Sequence, residues 1–122
     1  LFSENQAYAC EPFVTTKNAL GFVRNGKIKN IFALVSRKKT KDEKADRLTD
    51  YIWNNFNMLP FALRWLLKEW EEKEARRLLE ILVKKKVVHA YAILVEANGK
   101  TVAQAEHTFI PTQSGATVTT MG

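Results

Sequence analysis

The chain alternates between strand-like and helix-like spacing of its apolar residues. Residues 7–14 are rich in side chains that favour strands, and Pro12 among them indicates an edge strand or a bulge. The segment Gly21-Phe-Val-Arg-Asn-Gly26 predicts a strand that enters an Asn-Gly turn. Residues 28–35 are therefore expected to return as its hairpin partner.

The middle of the chain has helical spacing. We expect Thr40 to cap a first helix, whose apolar stripe consists of Ala45, Leu48, Ile52 and Phe56. Pro60 is suited to the first turn of a second helix. Residues 71–85 predict a third, with a stripe formed by Ala75, Leu78, Leu79 and Leu82.

The last third of the chain again favours β structure. Residues 87–95 predict a strand, Asn98-Gly99 a hairpin turn, and residues 101–110 the partner strand. A final strand is expected over residues 116–120. This order of strands, three short helices and strands indicates an α+β protein with a helical insertion, in segments 1–38, 39–88 and 89–122.

The amino-acid composition limits the classes of protein to which this chain can belong. The 122 residues contain one cysteine, Cys10, so a reducing, cytoplasmic location is expected rather than a secreted one. No apolar run approaches the roughly 20 residues that span a membrane. The net charge of +6 favours contact with nucleic acid or another acidic surface, or it is simply a solvated basic face. The start at Leu1, close to a strand, predicts that partner strands lie upstream.

Two glutamates lie in segments that otherwise have the composition of buried strands: Glu11 and Glu106. Burying an ionised carboxylate is costly unless it is paired or binds a metal. Either each side chain points outward from a half-exposed strand, or the two contribute oxygen ligands to divalent metals. Two carboxylates are too few for a complete binuclear site, so the residues alone leave both readings open.

Other kinds of site lack support. The chain has no HExxH, no paired CxxC and no glycine-rich phosphate loop, and no serine or cysteine has the setting of a nucleophile. Three short helices followed by a hairpin is also the layout of a winged helix. Its basic residues would then contact phosphates, which gives an alternative function in binding RNA or ribosomes.

Four short blocks carry a resemblance that covers nearly the whole chain. They are Glu11-Pro-Phe-Val-Thr-Thr16, Leu59-Pro-Phe-Ala-Leu-Arg-Trp-Leu66, Val102-Ala-Gln-Ala-Glu-His-Thr108 and Val118-Thr-Thr120. Each is similar to a block of the archaeal type II methionine aminopeptidases, and the blocks occur in the family's order. The chain resembles the C-terminal half of such an enzyme.

This resemblance implies the C-terminal half of a pita-bread fold, with residues 40–86 forming most of a winged-helix-like insertion. It implies metal-binding roles for Glu11 and Glu106, with two divalent ions (cobalt, manganese, iron or zinc). Tyr91 and Leu94 match a Tyr-Pro-x-Leu stretch that lines the methionine pocket, although Ala92 replaces its proline, and Pro60 falls near that pocket.

The same resemblance implies removal of the N-terminal methionine from nascent proteins by a dinuclear metal hydrolase. The remaining metal ligands and the catalytic histidine belong to the family's N-terminal half, so no catalytic residue is expected on this chain. We therefore expect the chain to be inactive alone. Its implied partners are that N-terminal half and nascent polypeptide N-termini, with the ribosome as a further candidate.

Overall fold

The computed structural model describes residues 1–121, which separate into two compact units. Unit 1 consists of residues 1–24 together with residues 95–121, and unit 2 consists of residues 25–94. The arrangement is a mixed α/β one. The assignment of segments 1–38, 39–88 and 89–122 to an enzyme core and an insertion stays a prediction.

Eleven elements cover the described residues. The strands are β1 (Tyr8–Cys10), β2 (Phe13–Thr15), β3 (Val23–Leu34), β4 (Phe61–Ala62), β5 (Val88–Glu96), β6 (Val102–Gln104), β7 (His107–Thr112) and β8 (Gly115–Val118). The helices are α1 (Glu43–Phe56), α2 (Leu63–Leu66) and α3 (Glu72–Lys84).

The hydrophobic core belongs to unit 2. The predicted stripes of α1 and α3 are buried there, with only Phe56 at the end of the α1 stripe partly exposed. Helix spacing of three and four residues brings these side chains to one face, so both helices pack on the same core. Phe61 links the core to the sheet, since its ring stacks on Phe56 with centroids 5.2 Å apart and on Phe32 at 6.0 Å.

The sheet of unit 2 has the order β4-β3-β5, and it corrects the first predicted hairpin. Strand β3 runs without interruption through Asn25 and Gly26, neither of which has a positive φ. An Asn-Gly hairpin turn needs positive φ at both central residues. Residues 28–35 therefore mostly continue the same strand, and the partners of that strand come from β4 and β5.

Two helix starts also differ from expectation. Asp42, not Thr40, caps α1, because the Asp42 carboxylate accepts a hydrogen bond from the Ala45 amide at 3.0 Å. Thr40 is buried instead, and its amide and hydroxyl both donate to the Asp46 carboxylate at 2.8 and 2.9 Å. Pro60 precedes β4 rather than opening a helix, and α2 begins only after that strand.

Unit 1 consists of small antiparallel sheets. One has the order β1-β7-β8 and the other pairs β2 with β6. The turn at Asn98-Gly99 is present, since the Gly99 amide donates to the Glu96 carbonyl at 2.9 Å and Gly99 has φ +78°. The predicted hairpin is wrong, however, because the strand after the turn pairs with β2 and not with β5.

Candidate metal site

Glu11 and Glu106 lie in breaks between strands of unit 1. Residues 11–12 separate β1 from β2, and residues 105–106 separate β6 from β7. The pairs Cys10–His107 and Phe13–Gln104 flank these breaks in one continuous antiparallel register, and the Ala105 amide donates to the Pro12 carbonyl at 3.2 Å. Counting one residue at a time across the break, from either flanking pair, places Glu11 opposite Glu106.

Residues directly opposite each other on antiparallel strands project from the same face, with their Cβ atoms about 4.5–5.5 Å apart. The structure thus brings together the two glutamates that the sequence singled out. Both are exposed, so the expectation that their strands are buried is wrong. The physical reason is that no apolar layer of unit 1 covers this part of its sheets.

Gln104 supports one of the two carboxylates. Its side-chain amide donates to Glu11 Oε2 at 3.1 Å. The residue lies two positions before Glu106, so the period of two along a strand gives both the same face. Sequence reasoning did not assign Gln104 a role, although this spacing within Val102-Ala-Gln-Ala-Glu-His was the available signal.

His107 belongs to a different set of contacts. It pairs with Cys10 in the ladder, and its Nδ1 lies 3.0 Å from Thr120 Oγ1. The Thr120 hydroxyl also accepts a hydrogen bond from the Thr108 amide at 2.9 Å. His107 follows Glu106, and neighbouring residues on a strand face opposite sides. The geometry does not add this imidazole to the glutamate pair.

Two carboxylates fit part of a metal site but do not complete one. Their oxygen atoms suit hard or borderline divalent cations. Within residues 1–121 neither Glu11 nor Glu106 forms an ion pair, and no group of three or more histidine, cysteine, aspartate or glutamate side chains is arranged to hold a metal. Further ligands would have to come from another polypeptide segment.

Archaeal methionine aminopeptidases are similar to nearly the whole chain. The chain is 37% identical to the methionine aminopeptidase of Methanocaldococcus jannaschii over 92% of its length. It is also 37% identical to the enzymes of Thermococcus kodakarensis, over 98%, and Saccharolobus solfataricus, over 90%. The chain is a homologue of the archaeal methionine aminopeptidases. This confirms the resemblance predicted from the four sequence blocks.

The similarity to methionine aminopeptidases covers only part of each relative. The chain spans 36%, 40% and 36% of the three enzymes, respectively, and corresponds to their C-terminal part. No protein-family model matches the chain. Among solved structures, a thermophilic Arx1 is similar with a TM-score of 0.72 at 17% identity, over 92% of this chain and 29% of that one. At this identity the likeness shows a shared fold alone.

The residues expected to line a methionine pocket lie in unit 2 and are exposed. Tyr91 and Leu94 belong to the same continuous strand, β5, and their spacing of three residues directs them to opposite faces of the sheet. The Tyr91 ring packs edge-on against the ring of His89, with centroids 4.6 Å apart. Pro60 precedes β4. The structure does not gather these three side chains on one face.

One buried carboxylate of unit 1 was not singled out by its sequence. Glu96 is 2% exposed, and its two oxygens accept hydrogen bonds from the amides of Leu20 at 2.6 Å, Asn98 at 2.9 Å and Lys100 at 3.1 Å. Burial acts to raise the pKa of Glu96, but these backbone donors together outweigh it and hold the pKa below its usual value. Glu96 therefore connects the loop between β2 and β3 to the loop between β5 and β6 through hydrogen bonds. It is not part of the Glu11–Glu106 pair.

Proposed function

We propose that this chain is the C-terminal part of a methionine aminopeptidase with the pita-bread fold. In this proposal Glu11 and Glu106 bind divalent metal ions together with ligands from an N-terminal segment of the enzyme. The observation that carries it is the register that sets these two glutamates opposite each other, in a chain homologous to such enzymes over nearly its whole length.

Electrostatics supports a cation between the two glutamates. Like charges directly opposite each other on antiparallel strands repel, which destabilises the pair. Gln104 donates one hydrogen bond to Glu11, but the described residues supply no positive side chain to either carboxylate. A divalent ion bound by both would remove this repulsion. Cobalt, manganese, iron and zinc are all candidates for ions that bind carboxylate together with histidine ligands.

Bound divalent ions would supply a water molecule of lowered pKa and polarise the carbonyl of the first peptide bond. The role of this chain's residues is narrower. Glu11 and Glu106 would hold the ions, and Gln104 would orient the Glu11 carboxylate. The assignment of Tyr91, Leu94 and Pro60 to the methionine pocket stays a prediction. The opposite faces of Tyr91 and Leu94 favour a pocket wall that uses one of the two.

The surroundings of unit 1 support an N-terminal segment as partner. Within residues 1–121, all the buried apolar residues lie between positions 32 and 88, and therefore in unit 2. Unit 1 instead exposes large apolar side chains on its strands and loops, which include Phe13, Val14, Phe22 and Val102. Phe13 and Val14 are neighbours on β2 and project from opposite faces, so apolar surface is uncovered on both faces and needs further layers of structure to bury it. Nascent polypeptide N-termini would be the substrate, and the ribosome a further partner.

The remaining expectations also belong to this proposal. The three helices and the β4-β3-β5 sheet of unit 2 support a winged-helix-like insertion. A cytoplasmic location is supported by the single exposed cysteine, Cys10. None of the helices described within residues 1–121 has both the length and the apolar character that would let it cross a membrane.

The test uses the intact gene product that contains this chain. We expect it to bind Mn²⁺ or Co²⁺ in a calorimetric titration and to release methionine from a Met-Ala-Ser peptide. Glu11→Gln and Glu106→Gln should remove both properties, because a neutral amide is a much poorer metal ligand. Glu4→Gln, a change at an exposed glutamate of the same unit, serves as the matched control and should leave both intact.

The chain of 122 residues by itself should bind these ions only weakly and release no methionine, since it holds two of the ligands. Unchanged metal binding in Glu106→Gln would contradict the proposal. The alternative is a non-catalytic homologue that binds RNA or ribosomes through unit 2. Unit 2 contains 16 of the 19 basic residues and nine of the 13 acidic residues. This excess of positive charge in unit 2 favours the alternative. Salt-sensitive RNA binding without any methionine release would support this alternative.

A further inference from the structure

A groove of unit 2 is unrelated to the two glutamates. It runs beside α3, has a volume of about 490 Å³, and is bounded by β3 and β5. Its floor is aliphatic, and Ile28 on it is 54% exposed, so an apolar surface is open to solvent. Volumes of this size are typical of ligand-binding clefts. The stretch of α3 along the groove, from Arg76 to Lys84, is about 12 Å long at 1.5 Å per residue.

The rim of this groove is strongly positive. It carries four basic side chains and one acidic side chain: Lys27, Lys29, Arg76, Lys84 and Glu80. Arg76 is already paired with Glu72 at 2.8 Å, whereas the three lysines form no ion pair within residues 1–121. A second cavity shares Lys29 with the groove and adds Lys86 and His89. The positive surface therefore continues beyond the groove.

The chemistry of the groove distinguishes between two kinds of acidic partner. Proteins that hold single-stranded nucleic acid stack its bases on exposed aromatic rings. The aromatic residue that lines this groove, Phe32, is only 6% exposed and cannot offer a ring face. An aliphatic floor with a cationic rim instead complements a segment with apolar side chains on one face and carboxylates beside them.

We propose that this groove binds a short acidic amphipathic peptide segment of a partner protein. Its apolar side chains would contact Ile28 and the aliphatic floor, and its carboxylates would pair with Lys27, Lys29 and Lys84. The length of the groove matches about two helical turns. This binding is independent of Glu11, Glu106 and any metal, so it stands whether or not the chain is part of an aminopeptidase.

The experiment measures fluorescence anisotropy with the full chain and a labelled acidic amphipathic helical peptide. A peptide of the same composition in scrambled order and a single-stranded RNA of similar charge serve as competing probes. We expect the ordered peptide to bind more tightly than the scrambled one. Lys27→Glu with Lys84→Glu should weaken this binding at least about tenfold, because two attractive contacts become repulsive. Ile28→Ser should weaken it as well, through loss of apolar contact.

Matched controls lie outside the groove. Lys68→Glu reverses an exposed charge and Met58→Ser removes an exposed apolar side chain, and neither should affect binding. All the substituted side chains are exposed, and circular dichroism checks that each variant keeps its helices. Equal binding of ordered and scrambled peptides, or no binding of either, would overturn the proposal. RNA binding that is tighter than peptide binding and unchanged by Ile28→Ser would also overturn it, and would indicate a nucleic-acid-binding surface.

Discussion

At the residue scale, Glu96 shows how a carboxylate that is 2% exposed stays ionised. Its two oxygens accept hydrogen bonds from the backbone amides of Leu20, which precedes it in the chain, and of Asn98 and Lys100, which follow it. Hydrogen bonds to the charged form lower the pKa of a carboxyl group even when burial acts in the opposite direction. The loop between β2 and β3 and the loop between β5 and β6 therefore both depend on one negative charge.

Replacing this carboxylate tests its role. Because the pKa of folded Glu96 is lowered from 4.5, its contribution to stability is present above pH 4.5 and is lost as the pH falls through the folded pKa. We expect Glu96→Gln to reduce hydrogen-exchange protection of the Leu20, Asn98 and Lys100 amides at neutral pH. In the original chain the NMR shifts of these amides should titrate below pH 4.5, and in the variant they should not. Glu4→Gln is the control, and equal protection in both variants would contradict this role.

A second residue-scale prediction concerns Gln104 and rests on the proposed function. Residues that orient metal ligands affect metal affinity about 10–100-fold when they are removed. Gln104→Ala takes away the donor to Glu11 Oε2 and should weaken Mn²⁺ binding by the intact gene product to this extent. Gln113→Ala, at an exposed position in the turn between β7 and β8, is the matched control. A calorimetric titration with identical affinities for both variants would rule out the orienting role.

At the scale of elements, α1 and α3 are positioned by their apolar stripes and their caps. Asp42 caps α1, and the Glu71 carboxylate caps α3 by accepting from the Glu74 amide at 3.1 Å. Arg77 lies on α3 beside Glu74 and Asp42. Its hydrogen bond with Glu74 lowers the pKa of that carboxyl to about 2, so the pair stays charged over the physiological range. Surface pairs of this kind add little stability, and the buried stripes contribute most of it.

The stripe of α3 leads to a quantitative prediction. Leu78 is fully buried between α3 and the rest of the core of unit 2. Leu78→Ala should lower the free energy of unfolding by about 2–5 kcal/mol, through lost apolar burial and the cavity that remains. Leu59→Ala changes the same atoms at a site that is 69% exposed and should cost less than about 0.5 kcal/mol. Urea unfolding followed by helical circular dichroism measures both, and similar values would show that the stripe is not the core.

At the scale of the whole molecule, the two units differ in what they bury and in charge. Unit 2 holds the apolar core and nearly all the basic residues, whereas unit 1 holds small sheets, the glutamate pair and many exposed apolar side chains. The chain spans less than half the length of its aminopeptidase relatives. The proposed activity therefore belongs to a larger assembly of segments, and the peptide groove to unit 2 alone.

The amino-acid sequence by itself determined the elements whose apolar residues recur with a regular spacing. The stripes of α1 and α3 follow from spacing within one helix. The strand predicted over residues 87–95, and observed at Val88–Glu96, follows from a largely apolar run that is β-branched at several positions. The homology was also readable from short motifs such as Glu11-Pro-Phe and Gln104-Ala-Glu106. These features depend on neighbouring residues, so they can be read before any tertiary contact is known.

Tertiary structure alone decided which strands pair and where helices begin. Asn25-Gly26 and Asn98-Gly99 are similar in sequence, yet the first continues a strand and the second forms a turn that leads to a pairing with β2. Pairing between β2 and β6 and between β1 and β7 joins residues that are 87 to 101 positions apart, and it places Glu11 opposite Glu106. Such long-range register depends on contacts that no local pattern encodes.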